Sequence, residues 1–106
     1  MATEQRTVDF ITDQIARAGS IRSHKMFGEY AVYCDEKVVA FVCDDQLFIK
    51  PTDAGRTFIG TPDEAPAYPG SKLYFLVSED LWDDHEWLTA LVRTTADALP
   101  LPKPKR

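Results

Sequence analysis

The sequence predicts an α+β fold: an antiparallel five-stranded sheet, built as a four-strand meander plus one strand, packed with an N-terminal and a C-terminal helix. Two observations support this fold class. Apolar residues recur at helical spacing near both ends of the chain, and short β-like segments separated by turn residues fill the middle. Such short connections allow only antiparallel hairpins, because a parallel pair needs a crossover of about a dozen residues.

The chain has 106 residues, which is enough for one domain and too few for two. We assign residues 1–99 to the domain and residues 100–106 to a basic, proline-rich tail. Hydrophobic residues make up 44% of the chain, so a core can form without a disulfide or a structural metal.

Two long helices and one short helix are predicted. The first long helix covers residues 4–18, with Thr3 as its N-cap and Gly19 as the residue that ends it. The second covers residues 80–99, and its acidic first turns suit the positive end of the helix dipole. A short helix is predicted over residues 53–59, after a proline that stops the preceding strand.

Five strands are predicted between the two long helices. Residues 60–71, rich in proline and glycine, are predicted as a loop that is either functional or an ordered cover over the sheet. The predicted strands are residues 21–27, 30–34, 38–43, 46–50 and 73–77.

The turn at residues 44–45 sets the register of the central hairpin. A two-residue turn there pairs Cys43 with Gln46 and Phe41 with Phe48. The strand that contains Phe41 is apolar on both faces, which places it inside the sheet. Each face then needs a cover, and the second cover is a helix, the proline-rich loop or another subunit.

The charge of the chain argues against nucleic acid as a partner. The sequence has 17 acidic and 12 basic residues, a net charge of −5. Binding to a duplex depends on cations that neutralise phosphates, so an acidic body disfavours it. Lys103, Lys105 and Arg106 give the tail its positive charge, which is more typical of a solvated chain end than of a nucleic-acid arm.

The two cysteines, Cys34 and Cys43, fall on neighbouring predicted strands. They are separated by roughly 13–20 Å along the ladder at ~3.3 Å per residue. A disulfide needs Cα atoms within about 7 Å, so we expect free thiols in a reducing compartment. The N-terminus has no signal-peptide pattern and no apolar run long enough to span a bilayer, and the expected location is the cytoplasm.

No catalytic, cofactor-binding or metal-binding motif is found in the sequence. A nucleophilic cysteine needs a cationic, partly exposed setting, whereas cysteines within strands are more often small buried hydrophobes. The cysteine and histidine spacings match no zinc motif. The acidic residues 79–86 are explained by the helix dipole, since the pattern of a calcium loop is missing.

The predicted C-terminal helix also contains two tryptophans, Trp82 and Trp87. Because they are five residues apart, their side chains point in different directions. Packing in the core is the favoured interpretation for both, and an exposed tryptophan would indicate an interface.

Three stretches together resemble the N-terminal domain of the TfoX/Sxy family. Residues 26–33, Met-Phe-Gly-Glu-Tyr-Ala-Val-Tyr, resemble that family's Met-Phe-Gly-x-Tyr-x-x-Tyr run. Residues 47–50, Leu-Phe-Ile-Lys, are similar to the end of its apolar hairpin. Residues 66–68, Pro-Ala-Tyr, followed by Tyr-Phe at 74–75, are similar in order and spacing.

The resemblance implies a secretion-chaperone-like α+β fold without established enzymatic activity. It also implies a role in transcription or competence regulation through contacts with the transcription machinery. Two differences from the namesake regulators stand out: those carry a second, C-terminal domain, and Glu36 stands where the family commonly has a turn glycine.

The function predicted from the sequence is therefore a protein-interaction module without enzymatic activity or cofactor, bound to a protein partner or to a second copy of itself. The alternative is a small-molecule or metal-binding domain that uses residues 60–71 as a lid. The candidate interaction residues are Met26, Phe27, Gly28, Tyr30, Tyr68 and Trp82.

Overall fold

The structure, a computed structural model, describes residues 3–26 and 28–100. Phe27 and residues 101–106, which include the charged part of the predicted tail, lie outside the described residues. Short 3-10 helices at Ala16–Ala18 and Glu79–Leu81 precede β1 and α3. In chain order the other elements are α1 (Gln5–Gln14), β1 (Ile21–Met26), β2 (Glu29–Cys34), β3 (Lys37–Cys43), β4 (Gln46–Ile49), α2 (Asp53–Ile59), β5 (Asp63–Pro66), β6 (Leu73–Val77) and α3 (His85–Ala98).

The predicted α+β class is confirmed, but the sheet has six strands rather than five. All neighbours are antiparallel, in the order β1-β2-β3-β4-β6-β5. The additional strand, β5, lies inside the predicted loop at residues 60–71. Its sequence, Asp-Glu-Ala-Pro, has low β propensity, and the strand forms because β6 offers it a pairing edge. Proline is tolerated there because β5 is an edge strand.

The predicted register of the central hairpin is confirmed. Cys43 pairs with Gln46 and Phe41 pairs with Phe48 across the two-residue turn. Asp44 and Asp45 have φ values of 53° and 58°, the left-handed conformation that a type I′ turn requires at both central residues.

The first helix is capped differently from the prediction. Glu4, not Thr3, is the N-cap, and its side chain accepts no capping hydrogen bond. The cap comes instead from the β3–β4 turn, where the carboxylate of Asp45 accepts hydrogen bonds from the Glu4 backbone N–H and the Thr7 hydroxyl, both at 2.9 Å. The Thr3 hydroxyl donates to the Glu29 carboxylate.

The last helix begins five residues later than predicted. Residues 79–81 form a 3-10 turn, and α3 starts at His85 after Asp84, whose carboxylate accepts the Trp87 backbone N–H at 3.1 Å. The short turn directs Trp82 into the core, where its indole N–H donates to the Val77 carbonyl at 3.2 Å. Both tryptophans pack on the core, since Trp87 also contacts Phe58 at a ring separation of 5.6 Å.

The main core lies between the helices and one face of the sheet. Its largest fully buried side chains come from α1, from the strands and from α3, and include Ile11, Leu47, Phe75 and Leu88. A smaller apolar cluster lies on the opposite face of the sheet, which no described helix covers. Its buried members are Cys43, Phe48, Ala67 and Tyr74. In the part of the chain that the structure describes, no helix is both long and apolar enough to cross a membrane.

Candidate interaction site

The sheet face opposite the helices contains an apolar cleft of about 490 Å³. A cleft of this size falls in the range of pockets that bind small ligands or anchor side chains of a partner. Its lining residues are Met26, Glu29, Tyr30, Phe41, Cys43 and Tyr68.

The alternation of side chains along the strands explains how the cleft forms. Phe41 and Cys43 are two residues apart on β3, so their side chains lie on the same face of the sheet. Phe41 makes an edge-to-face contact with Tyr74 of β6, with ring centroids 5.5 Å apart. The contact with Tyr74 fixes the Phe41 ring, which forms one wall of the cleft.

The rim of the cleft is exposed although it is apolar. Met26, the last residue of β1, is 36% exposed, and Tyr68, which follows β5, is 51% exposed. Cys43, by contrast, is 4% exposed. An exposed methionine and tyrosine around a buried apolar floor are typical of a surface that binds a partner or a ligand.

Tyr68 lies in an ordered turn and does not belong to a free lid. The Ser71 hydroxyl accepts hydrogen bonds from the backbone N–H groups of Ala67 at 3.0 Å and Tyr68 at 3.5 Å. The Ser71 backbone N–H in turn donates to the Tyr68 carbonyl at 3.0 Å. Ala67 itself is buried in the smaller cluster, so the segment is anchored on the sheet.

The one carboxylate at the cleft, that of Glu29, takes part in a network at the end of β2. It accepts hydrogen bonds from the Thr3 hydroxyl and from the Asp44 backbone N–H, the latter at 3.1 Å. The Thr3 backbone N–H donates to the Gly28 carbonyl at 3.0 Å, and Gly28 has a φ of 83°, a conformation that glycine adopts without strain.

The two cysteines are free and buried, as predicted. Burial raises the pKa of the Cys43 thiol to about 11, and the nearby carboxylates of Glu29 and Asp44 add to the rise. Burial also raises the pKa of Cys34, with a smaller contribution from Asp35. Because the thiolate is the nucleophile, neither thiol is activated at neutral pH.

The structure brings together three of the predicted interaction residues, Met26, Tyr30 and Tyr68. Tyr30 also belongs to the main core, where its hydroxyl donates to the Gln5 side-chain oxygen at 2.8 Å. Trp82 is 6% exposed and lies apart from the cleft, within the main core. Phe27 lies outside the described residues.

Sequence reasoning did not select Phe41 and Cys43, which form part of the cleft. The predicted register already placed both on one face of β3, and that face was recognised as apolar. The sequence did not indicate that, among the described residues, no helix covers this face of β3. Within residues 3–26 and 28–100, no three histidine, cysteine, aspartate or glutamate side chains are grouped so that they could hold a metal ion.

Comparisons with known proteins agree with the resemblance of the sequence motifs. The family model of the TfoX N-terminal domain matches residues 13–99. A protein of Spirochaeta aurantia, described as an uncharacterized 12.7 kDa protein in the trpE 5′ region, is 45% identical over 106 residues. That alignment covers 100% of this chain and 91% of the Spirochaeta protein.

Proposed function

The chain belongs to the TfoX N-terminal domain family, and from this premise we propose that it is a non-enzymatic protein-interaction module linked to transcription or competence regulation. The observation that carries the proposal is the apolar cleft on the uncovered sheet face, with Met26 and Tyr68 exposed at its rim. The raised pKa of the Cys43 thiol supports a binding role rather than nucleophilic chemistry at this site.

We propose that the occupant of the cleft is an apolar side chain of another protein. A partner that buries Met26 and Tyr68 removes apolar surface from water, at about 25 cal/mol per Å². Tyrosine is enriched at the centres of protein interfaces because it buries a large ring and keeps a polar hydroxyl. The free, buried thiols of Cys34 and Cys43 support a cytoplasmic location.

The test is affinity capture from the lysate of the host organism with three forms of the protein: wild type, Tyr68→Ser and Leu73→Ser. Leu73 is a matched control, because it is 52% exposed against 51% for Tyr68 and is not part of the cleft. We expect a transcription component to be recovered with the wild type and with Leu73→Ser and to be lost with Tyr68→Ser. Recovery that is identical for all three forms contradicts the proposed role of the cleft.

Light scattering on the same samples identifies a second copy of the chain as the occupant. A dimer that becomes a monomer with Tyr68→Ser but not with Leu73→Ser would replace the transcription partner by self-association through the cleft. A transcription partner and a second copy of the chain would both lose affinity with Tyr68→Ser, because each gains affinity by filling the cleft. The mass of the complex therefore tells the two partners apart, whereas the effect of the variant alone does not.

A small-molecule site is the second candidate, and the cleft volume of about 490 Å³ supports it. A ligand that binds only the folded state raises the melting temperature, by an amount set by its concentration relative to Kd. A screen of small aromatic compounds should then give shifts with the wild type that disappear with Cys43→Phe, which fills the floor of the cleft. Shifts that persist in Cys43→Phe would place the compounds elsewhere.

A further inference from the structure

The strand β1 forms an edge of the sheet. It pairs with β2 only, among the strands that the structure describes. Its residues from Arg22 to Met26 are all exposed. The opposite edge differs, since β5 has four residues and carries two acids and Pro66, features that protect an edge from further pairing.

The pairing of β1 with β2 defines which backbone groups point outward. The Asp35 backbone N–H donates to the Ser20 carbonyl at 2.9 Å, which makes Ser20 and Asp35 a hydrogen-bonded pair. Such pairs alternate along an antiparallel ladder, so Ile21, Ser23 and Lys25 direct their N–H and C=O groups away from β2. No hydrogen bond joins these outward groups to another described segment.

The charge of β1 is opposite to the charge of the whole chain. The strand contains Arg22, His24 and Lys25 and no acid, whereas the chain has a net charge of −5. Like charges placed opposite each other on paired strands are destabilising, and opposite charges are stabilising. The edge therefore favours an acidic strand as its neighbour.

The charge also disfavours two occupants that the chain itself could supply, a second copy of β1 and residues 101–106. If a second copy of β1 paired about a twofold axis through Ser23, so that the outward groups of both copies meet, Arg22 would face His24 of the second copy and the two strands would bring only basic side chains together. Residues 101–106 of the same chain contain three basic residues and no acid, so they carry the wrong charge as well.

The cleft lies at the end of this edge. Arg22, His24 and Met26 alternate onto the uncovered face of the sheet, and Met26 lines the cleft. The guanidinium of Arg22 lies over the ring of Tyr33, 3.9 Å from its centroid, and this contact holds the positive charge on the same face. Arg22 also makes an exposed ion pair with Glu36 at 3.1 Å, so an incoming carboxylate competes with Glu36 for it. A strand added beside β1 can thus contact the Arg22 and His24 side chains and reach the cleft with one side chain.

We propose that β1 accepts a seventh strand from an extended, acidic segment of a partner protein, with one apolar side chain of that segment in the cleft beside Met26. The inference rests on the proposed interaction function and specifies the class of partner. Main-chain hydrogen bonds to Ser23 and Lys25 supply affinity, and the basic side chains of β1 together with the cleft supply specificity.

The first experiment uses a fluorescein-labelled peptide of about ten residues that alternates glutamate and valine around one central phenylalanine, with a lysine-for-glutamate peptide as control. Anisotropy titrations should show the glutamate peptide binding about tenfold more tightly than the lysine peptide. The affinity of the glutamate peptide should fall as salt is raised, because the charges are exposed. Equal affinity for both peptides, or binding of neither, overturns the proposal.

The second experiment separates the backbone of β1 from its side chains. Ser23→Pro removes an outward N–H without breaking the β1–β2 ladder, and Ser23→Ala keeps that N–H. We expect Ser23→Ala to bind the glutamate peptide as the wild type does and Ser23→Pro to lose at least about tenfold in affinity. Equal binding by the two variants rules out strand addition at β1.

Two further measurements remain decisive if Ser23→Pro does not fold. Arg22→Glu, on the face that carries the cleft, should weaken the glutamate peptide and strengthen the lysine peptide, whereas an unchanged preference contradicts the charge argument. In the wild type, the amide protons of Ser23 and Lys25 should exchange more slowly once the glutamate peptide is bound. Unchanged exchange at both amides shows that no strand is added.

The outcomes distinguish this inference from the proposed function. If Tyr68→Ser abolishes capture of the cellular partner but the glutamate peptide does not bind β1, only the strand addition is wrong. If the peptide binds β1 but Tyr68→Ser has no effect on capture, the strand addition stands and the role of the cleft in the cellular complex is wrong.

Discussion

At the scale of single residues, the two hairpin turns adopt a backbone conformation that their side chains disfavour. Among the described residues, the non-glycine residues with positive φ are Asp35, Glu36, Asp44 and Asp45. Aspartate tolerates this conformation better than glutamate does. Glu36, with a φ of 68°, therefore carries strain, and its side chain makes only an exposed ion pair with Arg22 at 3.1 Å.

We predict that Glu36→Gly stabilises the protein. Relief of the left-handed conformation is worth about 1–2 kcal/mol, and the flexibility of glycine costs about 0.5–1 kcal/mol of it. The exposed ion pair contributes little. The expected gain in the free energy of unfolding is roughly 0.5 kcal/mol, measured by urea denaturation.

Asp35→Gly is the control at the adjacent position of the same turn. It removes the acceptor of the Ser20 backbone N–H, at 2.8 Å, and of the Arg93 guanidinium, at 2.9 Å. We expect this variant to lose stability although its φ is also positive. A gain for both variants would show that the hydrogen bonds of Asp35 contribute nothing.

At the scale of elements, Arg93 joins α3 to two other parts of the chain. Its guanidinium donates to the Ala18 carbonyl at 2.7 Å, to the Asp35 carboxylate at 2.9 Å and to the Asp97 carboxylate at 2.6 Å. The planar fork of arginine reaches acceptors in several directions, whereas the ammonium of lysine is a compact charge on a flexible chain.

We predict that Arg93→Lys lowers the free energy of unfolding by about 1–2 kcal/mol, because hydrogen bonds to charged groups are lost. Arg6→Lys is the matched control, since Arg6 makes one exposed ion pair, with Glu4 at 2.6 Å. That substitution should change the stability by less than about 0.5 kcal/mol. Equal effects of the two substitutions in urea denaturation would contradict a bridging role for Arg93.

The prediction of elements from the sequence succeeded where contacts are local. The two-residue turn determined the register of Cys43 with Gln46, and helical periodicity located α1 and α3. The prediction failed where contacts between residues far apart in the sequence determine how a helix is capped or whether a strand forms. Asp45 caps a helix whose N-cap residue, Glu4, lies 41 residues earlier in the chain, and no local pattern indicates such a contact. The strand β5 was missed because its pairing with β6 outweighs its own low propensity.

The candidate site was only partly predictable for the same reason. Met26 and Tyr68 were selected because they lie in motifs, but they are 42 positions apart, and only the folded sheet places both at one cleft. Side-chain alternation put Phe41 and Cys43 on a shared face. Whether a helix covers that face depends on the connections between elements, which periodicity does not determine.

At the scale of the whole molecule, several exposed carboxylates favour the folded state only when they are ionised. The Ser20 backbone N–H and then the Arg93 side chain lower the pKa of Asp35. The Glu4 backbone N–H and then the Thr7 hydroxyl lower the pKa of Asp45. A lowered folded-state pKa gives stability that is fully present above the unfolded value of about 4 and is lost as the pH falls through the folded-state value.

We therefore predict that the free energy of unfolding falls as the pH is lowered below about 4. The double variant Asp35→Asn, Asp45→Asn should be less stable at pH 7 and should show a shallower loss in acid. Urea denaturation at a series of pH values from 7 to 3 provides the measurement. A wild-type stability that is constant or rises over the acidic part of this series would be inconsistent with the lowered pKa values.

The order of the strands has a consequence for synthesis on the ribosome. Strands β1 to β4 follow one another in sequence and in the sheet, so this meander can form as soon as residue 49 has emerged. The strand β5 emerges next but has no neighbour to pair with until β6 has been made and has docked beside β4. Tyr68 lies in the connection between them, so the cleft is completed only after Val77 leaves the exit tunnel. A nascent chain therefore has a nearly finished meander before it has a finished binding surface.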